Sequence, residues 1–377
     1  MKNKKEKIDK SRSVFIYKQF ADILRKHIQH GVFKSGEHIP SERLLSQEHN
    51  INRITVRRGI NQLIKEGLLY SIPGTGTFVS DKPKMIAGQA PSGRRRKKNI
   101  ACMVKRLNPS IDSPILSPYY IDIFTSLQNE ASKLDYNISF NFITSIKEEK
   151  EIARTILESD IDGVILIGQM DKKFALSLYN KKVPLVLLDN YIDKPSIASV
   201  VPDNRQGAYE AINYLIGLGH KRIGCITAPA DQPAAIERLE GYKKALAEAN
   251  IKYDKSLVCE GFYQVRYGYA AMEKLLKRRL RPTAIFAIND EAAIGAMKAI
   301  RQNANLSIPE DISVIGFDDI EWSQHTDPPL TTIKIYKTEM SAIALRQISL
   351  ILKGESRISS KTITPVELVI RLSCAKR

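Results

Sequence analysis

No apolar run in the 377-residue chain is long enough to cross a bilayer, and the basic opening MKNKKEKIDKSRS is not followed by the apolar stretch of a secretion signal. Both absences point to the cytosol and away from a membrane partner. Cysteine is scarce: Cys102, Cys225, Cys259 and Cys374 stand far apart, with neither C-x-x-C pairing nor a histidine at zinc spacing. Free buried thiols are therefore expected, with no disulfide framework, no metal and no cofactor. A phosphate-binding loop is missing too, because no Lys-Ser/Thr and no helix follow the glycine-rich turn Gly74-Thr75-Gly76. Carboxylates are present, but nothing marks a nucleophile or general acid, so an enzyme is not expected. The aromatic stacking motifs of RNA-binding modules are also absent.

Acidic residues are in short supply only at one end. Residues 1–98 hold 22 Lys and Arg against 8 Asp and Glu, whereas residues 99–377 hold 36 against 33. Such asymmetry suits a polyanion, since each cation placed on a phosphate releases condensed counterions. A solvated basic tail or a membrane-surface patch would carry similar charge, so the pattern around it has to decide.

That pattern is helical first. Phe20, Ile23, Leu24, His27 and Ile28 recur at helical spacing before Gly31. Ser41 with Glu42 and Glu48 then frames a short helix, its core side at Leu44 and Leu45, ended by Asn50. Asn52 can cap a third helix from Arg53 to Lys65, whose apolar face is Val56, Ile60, Leu63 and Ile64. Two short strands, 68–71 and 77–80, flank Pro73-Gly74-Thr75-Gly76 as a hairpin. Residues 1–13 read as a basic tail, 14–80 as this module, and 81–98, with five consecutive basic residues among Pro, Gly and Ser, as a linker.

From Asn99 onward apolar runs alternate with amphipathic segments: IACMV, ISFNF, GVILI, PLVLLD, RIGCIT, AIFAI and SVIGFDD separate helices expected over 119–134, 148–159, 172–180, 205–218, 235–249, 266–279 and 290–303. Runs of this kind are strands buried on both faces of a parallel sheet. The expected fold class is an α+β winged helix-turn-helix followed by an α/β domain of two lobes.

The front module resembles the DNA-binding domain of the GntR family through its P-S-E-R helix entry, T-V-R recognition run, E-G-L-L and G-T-F-V wing. The resemblance implies double-stranded DNA as partner, with Arg43, Arg53, Thr55 and Arg57 as contacts and Gly74 letting the wing backbone approach the duplex. Asn52 and Arg58 are second choices. Arginine can take a guanine edge bidentately, and threonine a base or phosphate, when the first turn of a recognition helix enters the major groove. Each, taken singly, could equally be a solvated surface residue.

Residues 99–377 are similar to the effector domain of the lac/gal repressor family, on VPLVLLDN, PDNRQGAYEAINYLIGLGHKRIGCIT, RLEGYKKAL, PTAIFAINDEAAIGAMKAI, IPEDISVIGFDDIE and PPLTTI. That likeness implies two periplasmic-binding-protein-like lobes, crossovers near 201, 335 and 364, and a small-molecule effector, most simply a sugar, between them. The implied contacts are Asp189, Arg238, Asn289 and Asp318, with Tyr263 on the aromatic side and Tyr119 and Tyr120 as lids. The structural alternatives are that Asp189 caps a turn, that Asn289 and Asp318 tie strand ends together, that Arg238 pairs with a carboxylate, and that Phe262 takes the stacking role of Tyr263. The pairing of a GntR-type reader with this sensor resembles the arabinose-responsive repressors, which makes an arabinose-like pentose a candidate. A homodimer on a palindromic operator is implied as well. An activator, or a sensor of a non-sugar metabolite, is the alternative of the same build.

Overall fold

The computed structural model describes residues 16–72, 75–80, 97–105, 117–143, 156, 160–192, 195, 197–303, 306–355 and 360–377. The chain divides into two compact units, residues 1–95 and 96–377. The basic tail, Gly74, nearly all of the linker and, apart from Ile156, the helix expected over 148–159 lie outside the described residues.

In the first unit, helices α1 (Ile16–Gln29), α2 (Glu42–His49) and α3 (Arg53–Lys65) precede a hairpin of β1 (Leu69–Ile72) and β2 (Gly76–Val79). Helix α2 starts where the Ser41 hydroxyl accepts from the Leu44 amide, and it stops at Asn50, whose φ of 50° is left-handed. Two residues later Asn52 Oδ1 accepts from the Thr55 amide at 2.7 Å and starts α3. Phe20, Leu24, Leu45, Val56 and Leu63 fill the core between the helices. Helix α1 can lie close because Gly59 of α3 has no side chain: a Cβ there would stand 2.4 Å from the Phe20 ring. One expectation fails. Leu44 is 46% exposed while Leu45 is buried, because neighbouring residues on a helix point about 100° apart and only one row of this two-turn helix meets the core. The hairpin pairs antiparallel from Leu69 with Val79 to Ile72 with Gly76, one residue out of step with the expected strands.

The second unit holds two parallel sheets. The first has the order β13-β7-β6-β5-β3-β4, built from β3 (Lys98–Lys105), β4 (Tyr136–Ile143), β5 (Gly163–Ile167), β6 (Leu185–Leu188), β7 (Ser199–Pro202) and β13 (Lys361–Thr364). The second has the order β11-β10-β8-β9, from β8 (Ile223–Thr227), β9 (Val258–Glu260), β10 (Ala284–Ala287) and β11 (Ser313–Ile315). Between strands run α4 (Pro118–Lys133), α5 (Lys172–Asn180), α6 (Asn204–Gly217), α7 (Pro233–Glu248), α8 (Val265–Leu276), α9 (Asp290–Arg301) and α10 (Lys337–Lys353). Strands such as β5, buried at every residue, are the continuous apolar runs that helices cover on both faces. The edge strand β4 departs from that reading: of its eight residues only Ile143 is buried. Lys98, placed in the linker by sequence, already pairs with Tyr136 as the first residue of β3.

The chain leaves the first sheet after β7, returns to it at α10 and β13 by way of β12 (Thr332–Ile335), and leaves again into β14 (Val366–Val369), with β12 and β14 pairing antiparallel between the lobes. Each lobe presents strand carboxyl ends to the other, the place where α/β sheets hold ligands. All four cysteines are unpaired. Among the described residues no helix is long and apolar enough to cross a membrane, and no cluster of His, Cys, Asp and Glu suits a metal ion.

Candidate functional site

Two sets of side chains stand out, one on each unit. On the first, Arg53 opens α3, is exposed and lies on the same end as the half-buried Thr55 and the exposed Arg57. Arg43 is exposed on α2, and Arg58 is half-buried. Asn52 spends its Oδ1 on the Thr55 amide, so its capping role is met within the fold. Arg57 is not free either: its Nε and Nη2 each donate at 2.8 Å to the two oxygens of Glu42. That fork holds the Glu42 carboxyl below its ordinary range. The sequence offered Arg57 as a free contact and gave no sign of its partner, fifteen residues earlier. In the wing, the rings of Tyr70 and Phe78 stack at 5.6 Å, and His38 packs edge-on to Phe78 at 5.2 Å.

On the second unit the site is built on strained strand ends. Asp189, just after β6, has φ 61°, and Asp318, just after β11, has φ 111°. A side chain in that region of φ costs on the order of 1–3 kcal/mol and persists only where its surroundings fix it. The Asp189 amide is held by the Val200 carbonyl at 2.8 Å, and the Asp318 amide by the Ile333 carbonyl at 2.7 Å. Both carboxylates thereby face one cleft with Arg238 between them. Arg238, 3% exposed, donates from Nε to Asn204 Oδ1 at 2.9 Å, from Nη1 to the Ile288 carbonyl, and from Nη2 to Asp318 Oδ1 at 3.5 Å. Its guanidinium carbon lies 3.6 Å above the centre of the buried Phe317 ring.

Burial sets the electrostatics. It pushes Asp189 up to about 7 against the opposing pull of Arg238, with Asp318 adding to the rise. Asp318 is likewise pushed up by burial, to about 6, with Arg238 and then Lys337 opposing. The Tyr119 hydroxyl is buried near Asp189 without a hydrogen bond of ordinary length among the described residues. Tyr120 meets Tyr119 edge-on at 5.5 Å and lies against Gly168, where a Cβ would come within 2.4 Å of its hydroxyl. Both tyrosines are packed at the start of α4. Tyr263 is half-buried near Asp189 and Asp318; desolvation and then these two carboxylates raise its hydroxyl, against the pull of Arg238, while Phe262 leans on Tyr267 at 4.8 Å with 40% exposure. Asn289 caps α9 through the Ala292 amide at 3.0 Å and donates from Nδ2 to the Tyr263 carbonyl at 3.0 Å. The structural roles weighed for Asn289 and Arg238 are thus occupied, and both groups still line the cleft.

Several groups that close the cleft escaped the sequence reading. Glu237 of α7 accepts at 3.1 Å from Tyr191 Oη and Lys361 Nζ, both carried by the lobe of the first sheet, and at 3.1 Å from Asn204 Nδ2. Ser117 donates to Glu291 across the mouth at 2.6 Å, and Gln169 meets Gln232. Glu237 therefore clasps the lobes and, through Asn204, steadies Arg238. Only Phe317 had a signal in the sequence, as the residue before Asp318 in GFDD.

Family models match both units. Residues 16–79 match the bacterial regulatory proteins of the gntR family, and residues 212–374 match the periplasmic binding protein-like domain. The chain is 31% identical over 284 residues to the HTH-type transcriptional repressor CytR of Escherichia coli K12, covering 74% of this chain and 82% of that one. It is 35% identical over 246 residues to the probable HTH-type transcriptional repressor ExuR of Bacillus subtilis, covering 64% and 72%. Among solved structures, the transcription regulator CcpA of Lactococcus lactis superposes with a TM-score of 0.67 at 28% identity, over 74% of this chain and all of that one.

Proposed function

Because the chain belongs to the lac/gal (LacI-type) family of transcriptional repressors, with a GntR-type helix-turn-helix in front of its periplasmic-binding-protein-like domain, we propose that it represses transcription by holding an operator and lets go when a neutral sugar fills the cleft. The observation that carries the sugar reading is the convergence of Asp189, Asp318, Asn289 and Arg238 on one buried space beside Tyr119 and Tyr263. Carboxylates accept from vicinal hydroxyls, a guanidinium forks onto two oxygens, and an aromatic face suits ring C–H groups. The carboxylates of Asp189, Asp318, Glu237 and Glu291 disfavour an anionic ligand, which would have to be desolvated beside them. A pentose such as arabinose is of the right chemistry.

On DNA, Arg53 and Arg43 take base edges or phosphates, Thr55 meets the groove at the same end of α3, and Arg57, Arg58 and Gly74 support them. Two copies join through the sensor domain, to which the exposed Trp322, Ile370 and Leu372 contribute; Arg371, between the last two, donates to the Ser323 hydroxyl beside Trp322. A dimer matches a palindromic site.

Gel retardation on the region upstream of its own gene, across a panel of neutral pentoses and hexoses, tests this reading. The expected result is a complex that one sugar dissolves. No complex at moderate salt would contradict the DNA half, and a complex indifferent to every sugar would contradict the sensor half.

A further inference from the structure

The cleft lies at strand carboxyl ends. At the opposite ends of β8 and β10 sits a second cavity of about 750 Å³, lined by the cations Arg222, Lys277, Arg278, Arg279, Arg281 and Arg377 with Glu273 as its one carboxylate side chain. We infer that this cavity binds a small polyphosphate anion, at a site separate from the effector cleft.

Charge distribution is the first ground. Residues 99–377 are close to balanced, and without these lining groups they would be slightly acidic, at 30 Lys and Arg against 32 Asp and Glu. Six of the domain's 36 cations are thus gathered at one concavity. Pairing is the second. Among the described residues of this domain some cations meet carboxylates, as in Arg205 with Glu240, Lys337 with Asp122 and Arg371 with Asp319, and others, such as Lys172, Lys298 and Arg346, stand apart from one another without an ion pair. Among the described residues, Lys277, Arg278, Arg279 and Arg377 have no carboxylate within ion-pair distance, and all four are exposed. Like charges held together unpaired repel one another, and an anion of several charges relieves that repulsion.

Preorganisation is the third ground. Arg222 donates from Nε to the Arg281 carbonyl at 3.3 Å and from Nη2 to the Leu280 carbonyl, while Arg281 Nε donates to the Leu276 carbonyl at 3.0 Å. These bonds fix the turn that carries Lys277, Arg278 and Arg279 before any ligand arrives. They also answer the simplest alternative, that basic residues here only complement the C-terminus of α8: one or two cations serve that purpose, and Arg281 already takes the Leu276 carbonyl. The volume falls in the range of roughly 300–1,000 Å³ typical of small-ligand sites, and Leu276 and Leu280 add apolar surface beside the charges. A nucleic acid would call for cations strung along a backbone track, whereas these converge on a concavity.

Calorimetric titration of the full chain with inorganic tripolyphosphate at near-physiological salt tests the proposal. The expected result is saturable binding that the Lys277→Ala/Arg278→Ala/Arg279→Ala variant weakens about tenfold or more, with an unchanged melting temperature, while Arg53→Ala/Arg57→Ala leaves it within about twofold. Inorganic phosphate, with fewer charges, binds at least about tenfold more weakly. The proposal is overturned by equal affinity in the triple variant, by binding that disappears with Arg53 and Arg57 instead, or by a chain that ignores tripolyphosphate and uses this patch for non-operator duplex.

Discussion

The two units use arginine in opposite ways. In the helix-turn-helix, Arg43, Arg53 and Arg57 are exposed, and Arg57 is lightly held by one glutamate. In the sensor, Arg238 is buried under 4% side-chain exposure with donors committed to Asn204, Ile288 and Asp318 and its face on Phe317. An exposed guanidinium costs little to keep hydrated and can be offered to whichever duplex fits. A buried one must be compensated by the fold, so it can discriminate a ligand only if the surrounding carboxylates and carbonyls are already in place. Binding and folding are therefore separable in the first unit and entangled in the second.

The strongest way to break that contrast is Arg238→Ala. It strands Asp318 in a buried site, so a loss on the order of 3–5 kcal/mol in the sensor is expected, together with loss of the sugar response. Denaturant unfolding followed by operator titration with sugar checks both; a variant as stable as the parent would erase the distinction. Next comes Arg53→Ala, for which operator affinity should fall ~10–100-fold, or about 1–3 kcal/mol, with no change in melting temperature. Fluorescence anisotropy over a salt series reads it, and a shallower salt slope is the added expectation for a lost phosphate contact.

A pH series sharpens the buried side. Asp189 rises from its ordinary value of 3.8 to about 7 in the fold, so between those values the native state binds more protons than the unfolded chain, and stability falls as pH rises. Asp189→Asn removes the penalty of a buried charge: at pH 8 it should melt higher than the parent, by on the order of a few °C, and the difference should shrink as pH falls and close only near about pH 4. A pH-independent difference would contradict the burial argument. The smallest effect is expected from Glu237→Gln, which weakens the clasp to Lys361 and Tyr191; sugar affinity should fall by about 1 kcal/mol while operator affinity without sugar stays put. Calorimetry of both titrations separates those outcomes.

Legibility in the sequence follows the range of the interaction. Ser41, Asn50 and Asn52 cap and stop helices within three residues of themselves, so the module around them could be read directly. Buried strands such as β5 were equally plain, because five apolar residues between helices leave few other choices. Leu44 was misplaced because a two-turn helix gives periodicity too little length to say which of two adjacent leucines faces in. Contacts across long separations left no local trace: Arg57 with Glu42, Arg238 with Asp318 eighty residues on, and Glu237 with Lys361 depend on how elements pack. The motif resemblance placed Asp189, Arg238 and Asp318 in one site, but only the packed lobes give the left-handed backbone at both aspartates and the Phe317 ring beneath the guanidinium.

Coupling of sugar and operator binding is reciprocal, so linkage makes it measurable from either side. With the sugar that dissolves the operator complex, its dissociation constant is to be determined calorimetrically on the free protein and on protein saturated with operator duplex. Sugar should bind more weakly on the duplex, by the same factor by which it weakens operator binding; a repressor whose two sites are uncoupled would show no such difference. Identical constants in the two titrations would contradict the coupling.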